Sequence, residues 1–250
     1  MPPLNQKSSV EQIRARFDQD VERFSHLETG QVAMPDSLLF MELIARAAAA
    51  ITPQARAVLD LGCGAGNYTL KLLQVLPDLD CTLVDLSQPM LARARERVAP
   101  ATRGRVDTRQ CDIRDLQFPA AGCDLILAAA VLHHLRGEGE WNAVLASMAS
   151  WLRPGGSLWV VDMFEASSPA VQALLWRRYG EYLEQVRGGG VAGAAYRDHV
   201  FAYIDAEDSP RPLLWFLDRL SRTGFTNLEI LHKNGSFTAL GGVKCADQSG

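Results

Sequence analysis

Five apolar runs recur between residues 57 and 163, and helical patterns fill three of the gaps between them. The spacing predicts strands at 57–61, 80–85, 105–110, 123–129 and 157–163. It predicts helices at 67–76, 88–98 and 139–152. Strands separated by helices cannot be joined as hairpins; they form βαβ units and a parallel sheet covered on both faces. The run "CDLILAAA", apolar almost throughout, reads as a central strand of such a sheet. Two later runs, "TNLEILH" and "SFTALGGVK", are separated only by "KNG". A parallel crossover needs a dozen residues or more, so these two must pair antiparallel. Asn234-Gly235 is the expected two-residue turn. The expectation is a seven-stranded α/β sheet, mostly parallel, closed by an antiparallel hairpin.

Segments outside this alternation are helical. Ile13, Phe17, Val21 and Phe24 form one stripe, predicting a helix from Val10 to about Phe24. Residues 1–10 read as disordered. Asp36 or Ser37 would cap a helix over 38–50, closed by Thr52-Pro53. Residues 164–210 suggest two helices, "PAVQALLWRRYGEYLEQV" and "AAYRDHVFAYI", joined by a flexible "RGGGVAG". A last helix over 211–223 ends at Gly224. The implied division is an N-terminal helical lid (1–50), a core (51–163), a helical insertion over the site (164–210) and a closing helix with hairpin (211–250).

Composition removes several functions. The formal net charge of −4 disfavours nucleic acid and anionic membranes, which require a positive surface. Five cysteines, an odd number with no CxxC pair, fit free thiols in a reducing, cytoplasmic setting; no metal site is expected. The N-terminus lacks the apolar stretch of a secretory signal, and no apolar run is long enough to span a bilayer. Abundant arginine and alanine fit a GC-rich bacterial genome.

The segment "LDLGCGAGN" places Gly62, Gly64 and Gly66 between the first strand and its helix. In an open α/β sheet, ligands bind beyond the carboxyl ends of the strands. Glycines let the backbone approach, and a helix start presents free N–H groups. A dinucleotide turn reads GxGxxG; here the third glycine comes one residue early and position 67 is Asn. The GxGxG spacing resembles motif I of the class I S-adenosylmethionine-dependent methyltransferases. The later segments "VDLSQPMLARA", "CDIRDL", "VLHHL" and "LRPGG" resemble that family in the same order.

The resemblance implies a Rossmann-like fold, S-adenosylmethionine as cofactor, and methyl transfer by in-line displacement to an N, O or C nucleophile of a small molecule. It implies that Asp60 orients the methionine amino group and that Gly62, Cys63, Gly64, Gly66 and Asn67 form the cradle. Asp85 would take both ribose hydroxyls, its alternative being a cap for the following helix. Leu86 and Met90 would line the adenine pocket, although Met90 alone reads as core. Asp112 and the Ile113 amide would read adenine, the alternative being a solvated carboxylate. Ala128 joins the cofactor set. His133 is the catalytic candidate, as a base or as a holding group; a structural role for the pair with His134 stays open.

For the acceptor, the candidates are Phe17 and Met34 from the lid and Tyr179, Tyr196 and Arg197 from the insertion. All five read equally as packing. Residues 164–203 carry four Arg and four acids, and residues 1–50 carry five Lys/Arg against seven acids, so neither is a nucleic-acid patch. The aromatic insertion is also the expected face for a homodimer. "CDIRDL", the insertion and the closing "NGSFTALGGVK" resemble carboxy-S-adenosylmethionine synthase as well, where an insertion Arg holds a carboxylate; Arg197 would fill that role. A non-catalytic subunit that binds the cofactor is the third reading.

Overall fold

A computed structural model describes residues 7–27 and 29–246. Seven strands form one sheet: β1 (Ala57–Leu61), β2 (Asp80–Asp85), β3 (Val106–Gln110), β4 (Cys123–Ala129), β5 (Leu152–Met163), β6 (Phe225–Asn234) and β7 (Phe237–Lys244). Their order is β3-β2-β1-β4-β5-β7-β6. The pairs among β1 to β5 are parallel, whereas β7 runs antiparallel to both β5 and β6. The hairpin deduced from loop length is present, with one shift. Asn234 pairs with Phe237, so the turn residues are Gly235 and Ser236, and Gly235 alone takes positive φ (59°).

Alternation along the strands divides the core into two layers. Val58, Leu125, Leu127, Trp159 and Val161 point to one face, and Leu59, Leu61, Ile126, Leu158 and Val160 point to the other. The first face is covered by α3 (Ser37–Ile51), α4 (Asn67–Leu73) and α5 (Gln88–Val98). The second is covered by α6 (Glu138–Trp151) and α9 (Leu213–Arg222). Each buried Leu or Val side chain contributes roughly 1.5–3 kcal/mol, so a one-residue slip of any central strand would be costly.

Helices α1 (Val10–Gln19), α2 (Val21–Ser25), α7 (Pro169–Val186) and α8 (Gly190–Glu207) complete the chain. The single helix expected over residues 10–24 is broken at Asp20, which ends α1 and begins α2. The expected disorder before it does not hold for residues 7–10. Ser9 and Gln12 form a capping box, the Ser8 amide donates to the Ala206 carbonyl at 2.8 Å, and Lys7 donates to the Asp205 carbonyl at 2.8 Å. Residues 1–6 lie outside the described residues. Asp36 stands at the start of α3 but does not cap it; in left-handed backbone (φ 58°), it accepts from His232 Nε2 and Asn234 Nδ2 on β6, each at 2.8 Å. The linker between α7 and α8 is only three residues long. Gly193 lies inside α8, where a Cβ would come within 2.5 Å of the Glu184 carbonyl of α7.

Candidate active site

The carboxyl ends of β1, β2 and β4, the loop after β3 and the four helices α1, α2, α7 and α8 surround a cavity of about 210 Å³. It opens where strand order reverses between β1 and β4, the place where open α/β sheets hold ligands. The turn after β1 forms its floor. Gly62, Gly64 and Gly66 take positive φ of 67°, 51° and 83°. At Gly62 a Cβ would lie 2.6 Å from Val131, so glycine there serves close packing. At Gly64 nothing lies within 4 Å of the Cβ position, and a side chain there would project into the cavity. This open cradle suits a ligand held against bare backbone.

Asp85 closes the cradle. Its Oδ2 accepts from the Gly64 amide at 2.8 Å and its Oδ1 from the Ser87 amide at 2.9 Å, leaving lone pairs on both oxygens. Burial pushes it up to about 6 despite those amides. Ser87, not Asp85, caps α5, its side chain accepting from the Met90 amide. Asp60 is 1 % exposed and accepts from Thr69 Oγ1 at 2.5 Å; burial pushes it up to about 7. Two carboxyl groups poised near neutrality, 25 residues apart in sequence and facing one cavity, need a cation or hydroxyl donors to ionise at low cost.

Leu86, Met90, Asp112 and Ile113 line the same cavity. Met90 is both wall and core, at 1 % exposed. Burial raises the Asp112 carboxyl, but Arg114 outweighs it: the Arg114 Nε and amide each reach Oδ1 at 2.9 Å, and the carboxyl ends below its ordinary value. Cys63 lines the cavity as a buried thiol whose proton is held more tightly by burial. The Asn67 side chain is engaged elsewhere, donating to the Phe24 carbonyl at 2.9 Å and accepting from Arg97 at 2.8 Å, which ties the glycine turn to α2. Ala128 does not line the cavity. Strand alternation sends it to the α6 face, and Ala129 and Ala130 form the wall instead.

Of the acceptor candidates, Phe17, Met34 and Tyr179 line the cavity, whereas Tyr196 and Arg197 do not. Arg197 is consumed by ion pairs with Glu184 of α7 and with Asp198, the latter at 2.8 Å. Tyr196 lies beneath the Arg187 guanidinium, 4.6 Å from ring centroid to Cζ. Helical spacing brought the two residues near the insertion's aromatics, but the inward face of α8 carries Tyr203 and Ile204.

His133 faces the cavity from a short turn after β4. Asp162, wholly buried in β5, accepts from His133 Nδ1 at 2.5 Å, from the Leu132 amide at 2.8 Å and from the Met163 amide at 2.7 Å. Burial alone would lower His133; Asp208 and Asp162 overcome it and raise it to about 9. His134 is lowered by burial and by its cationic neighbours His133 and Arg16. Asp162, Asp208, Tyr68 and Arg136 were not found from sequence. Asp162, an acid inside the apolar run "LWVVDM", is the only one of these with a local signal.

The N-terminal and insertion helices meet over the cavity. Tyr179 and Tyr182 donate to the carbonyls of Ala33 and Val32 at 2.9 and 2.8 Å. Arg16 of α1 grips Glu207 of α8 through Nε at 2.7 Å and a second N–H, a bidentate pair.

Residues 58–156 match the family model described as "Methyltransferase domain". Over these residues the chain resembles the class I S-adenosylmethionine-dependent methyltransferases. It is 28% identical over 187 residues to a ubiquinone/menaquinone biosynthesis C-methyltransferase of Syntrophotalea carbinolica, covering 73% of this chain and 74% of that one. It is 34% identical over 163 residues to a trans-aconitate 2-methyltransferase of Mycobacterium ulcerans, covering 62% and 56%. The N-methyltransferase NodS of Bradyrhizobium japonicum, solved with S-adenosyl-L-homocysteine, superimposes with a TM-score of 0.60 at 17% identity, covering 91% of this chain and 98% of that one; a likeness at that identity speaks to the fold. The chain spans about half the length of most of the curated relatives it matches. The cofactor of this family is S-adenosylmethionine, and the open Gly64 cradle beside Asp85 fits it. No helix among the described residues is long and apolar enough to cross a membrane.

Proposed function

We propose that this methyltransferase moves the sulfonium methyl of S-adenosylmethionine to a small-molecule nucleophile bound beneath α1 and α8. The observation that carries this reading is the single cavity that joins the bare Gly64 backbone and Asp85 at one end to His133 at the other. The cofactor supplies the activated methyl group, so the chain mainly aligns and encloses the reactants. Such alignment is worth on the order of 7–11 kcal/mol of barrier.

Each residue has a definable task. Asp85 takes the ribose hydroxyls, while Gly64 leaves room for the ribose and the methionine chain. Leu86, Met90 and Ile113 enclose the adenine, and Asp112 accepts from its amine. Asp60, raised by burial and by the Asp85 charge, ionises against the ammonium. Gly62, Cys63, Gly66 and Asn67 hold the turn's shape rather than touch the ligand with their side chains. Phe17, Met34 and Tyr179 set the acceptor's size, and His133 touches the acceptor from the far wall. Both exposed ends of this list, lid and insertion, carry balanced or negative charge, which suits a small acceptor better than a nucleic acid. The five free cysteines fit a reducing compartment.

Arg197 is committed to Glu184 and Asp198, so the synthase-like reading loses the arginine it required. The test is incubation with S-adenosylmethionine and a metabolite extract, followed by mass spectrometry. Release of S-adenosylhomocysteine with a product heavier by one methyl is expected. A carboxylated cofactor, or cofactor retained unchanged, would overturn the proposal.

A further inference from the structure

Beyond Asp162, the two histidines face a group that the methyl-transfer reading leaves unused. His133 Nε2 lies 3.6 Å from Asp208 Oδ1, and His134 Nδ1 lies 3.4 Å from the same oxygen. The three ligating atoms all fall within 4.8 Å of one another. Asp208 is 3 % exposed, yet its Oδ1 has no hydrogen-bond partner, and neither has the buried His134 Nδ1. Leaving such groups buried without a partner is costly.

The charges of His133 and Arg16 favour the Asp208 carboxylate, but neither neighbouring arginine gives its Oδ1 a hydrogen bond. Arg16 is turned to the Glu207 carboxylate. Arg136 is turned to the Glu207 carbonyl, to Ser209 Oγ at 3.4 Å and to the Ser8 carbonyl at 3.1 Å.

We infer that His133, His134 and Asp208 form a binding site for one divalent transition-metal ion, of the zinc type, in the wall of the cavity. Spacing separates this from capture of an ammonium group. Ligands at about 2.1 Å around a tetrahedral ion stand about 3.4 Å apart, whereas acceptors at about 2.8 Å around an ammonium stand about 4.6 Å apart. The carboxylate-to-imidazole distances of 3.4 and 3.6 Å match the first. Two imidazoles and one carboxylate are a common set for such ions. Asp162 provides what a ligating histidine needs behind it: by accepting the hydrogen bond of Nδ1–H, it keeps the Nε2 lone pair turned toward the site. All three residues line the cavity, which would leave the ion's fourth position open to it. A further consequence rests on the methyl-transfer reading: an acceptor hydroxyl or thiol bound at that open position would release its proton to solvent near neutral pH, as zinc-bound water does. That selects oxygen and sulfur nucleophiles over carbon.

The test is metal binding by the full, tag-free chain after chelator treatment, using zinc ions in equilibrium dialysis with elemental analysis. One equivalent per chain is expected. Asp208→Asn and His134→Asn should each weaken binding at least tenfold, and Asp162→Asn by 10- to 100-fold. Cobalt substitution should give the visible absorption of a four-coordinate site in the wild type and lose it in Asp208→Asn. If one variant does not fold, as judged by circular dichroism, the other decides. No bound zinc, or zinc retained equally in both variants, overturns the site. The thermal shift with S-adenosylhomocysteine, measured without metal, reports separately on the cofactor reading: a shift without zinc binding leaves that reading standing and refutes only the metal site.

Discussion

Replacing Gly62 and Gly64 one at a time by alanine should separate packing from ligand binding, because the two glycines share a backbone conformation and differ in what lies beyond it. Both hold positive φ, at 67° and 51°, and a side chain in that region costs about 1–2 kcal/mol. Lower chain entropy in the unfolded state returns about 0.4–1 kcal/mol. Gly64→Ala has no further cost, since nothing lies within 4 Å of the added carbon. Gly62→Ala also drives a methyl to within 2.6 Å of Val131, an overpacking worth about 1–3 kcal/mol. The expected loss of stability is about 1 kcal/mol at Gly64 and about 2–4 kcal/mol at Gly62. In a domain of this size, each 1 kcal/mol moves Tm by about 2–4 °C. Urea unfolding gives the energies, and calorimetric titration with S-adenosylhomocysteine gives the affinities. Gly64→Ala should bind at least tenfold more weakly while melting nearly as the wild type does. Equal destabilisation of the two variants, or wild-type affinity in Gly64→Ala, would refute the assignment of Gly64 to the ligand and Gly62 to the fold.

Asp85→Asn should weaken S-adenosylhomocysteine binding by about 1.5–3 kcal/mol, the loss of charge-assisted bonds, with unchanged affinity counting against the ribose role. Asp60 and Asp85 are raised in the folded chain to about 7 and about 6, so each favours the protonated form. Their stabilisation is complete below the unfolded carboxyl value and is lost as pH rises through 6 to 7. Ligand-free protein should therefore melt lower at pH 8 than at pH 5.5, and Asp60→Asn should flatten that slope; an unchanged slope would place the cause elsewhere. In Asp162→Asn, the His133 imidazole should titrate lower than in the wild type, as followed by NMR, because one of the carboxylates that raise it is gone. Glu207→Gln should release α1 from α8 and speed tryptic cleavage at Arg14 and Arg16; equal rates would show that the pair does not hold the helix.

The sheet was legible because its signals are local: apolar runs, intervening helical periods, and a connection too short for a crossover. The cradle was legible because three glycines in five residues serve few other ends. The cavity's far wall was not. Asp208 lies 75 positions beyond His133 at the end of a helix, and only the docking of α8 brings them together; no spacing rule reports that. Asp162 was hidden in an apolar strand, where an acid pattern carries no period. Arg197 and Tyr196 show the opposite failure. Their residue types suited a substrate, but rotation of α8 turned them to α7 and left Tyr203 and Ile204 facing inward. The break at Asp20 escaped because the apolar stripe runs through it.

The bidentate grip of Arg16 on Glu207, with the tyrosine hydroxyls latched onto residues 32 and 33, makes the cover over the cavity one mechanical piece assembled from two ends of the chain. On the proposed function, acceptor range would then be a property of the pair. A graft that exchanged only the first fifty residues with a relative, or only the segment after β5, would inherit mismatched fasteners and an ill-fitting roof, so any transplant of specificity has to carry both.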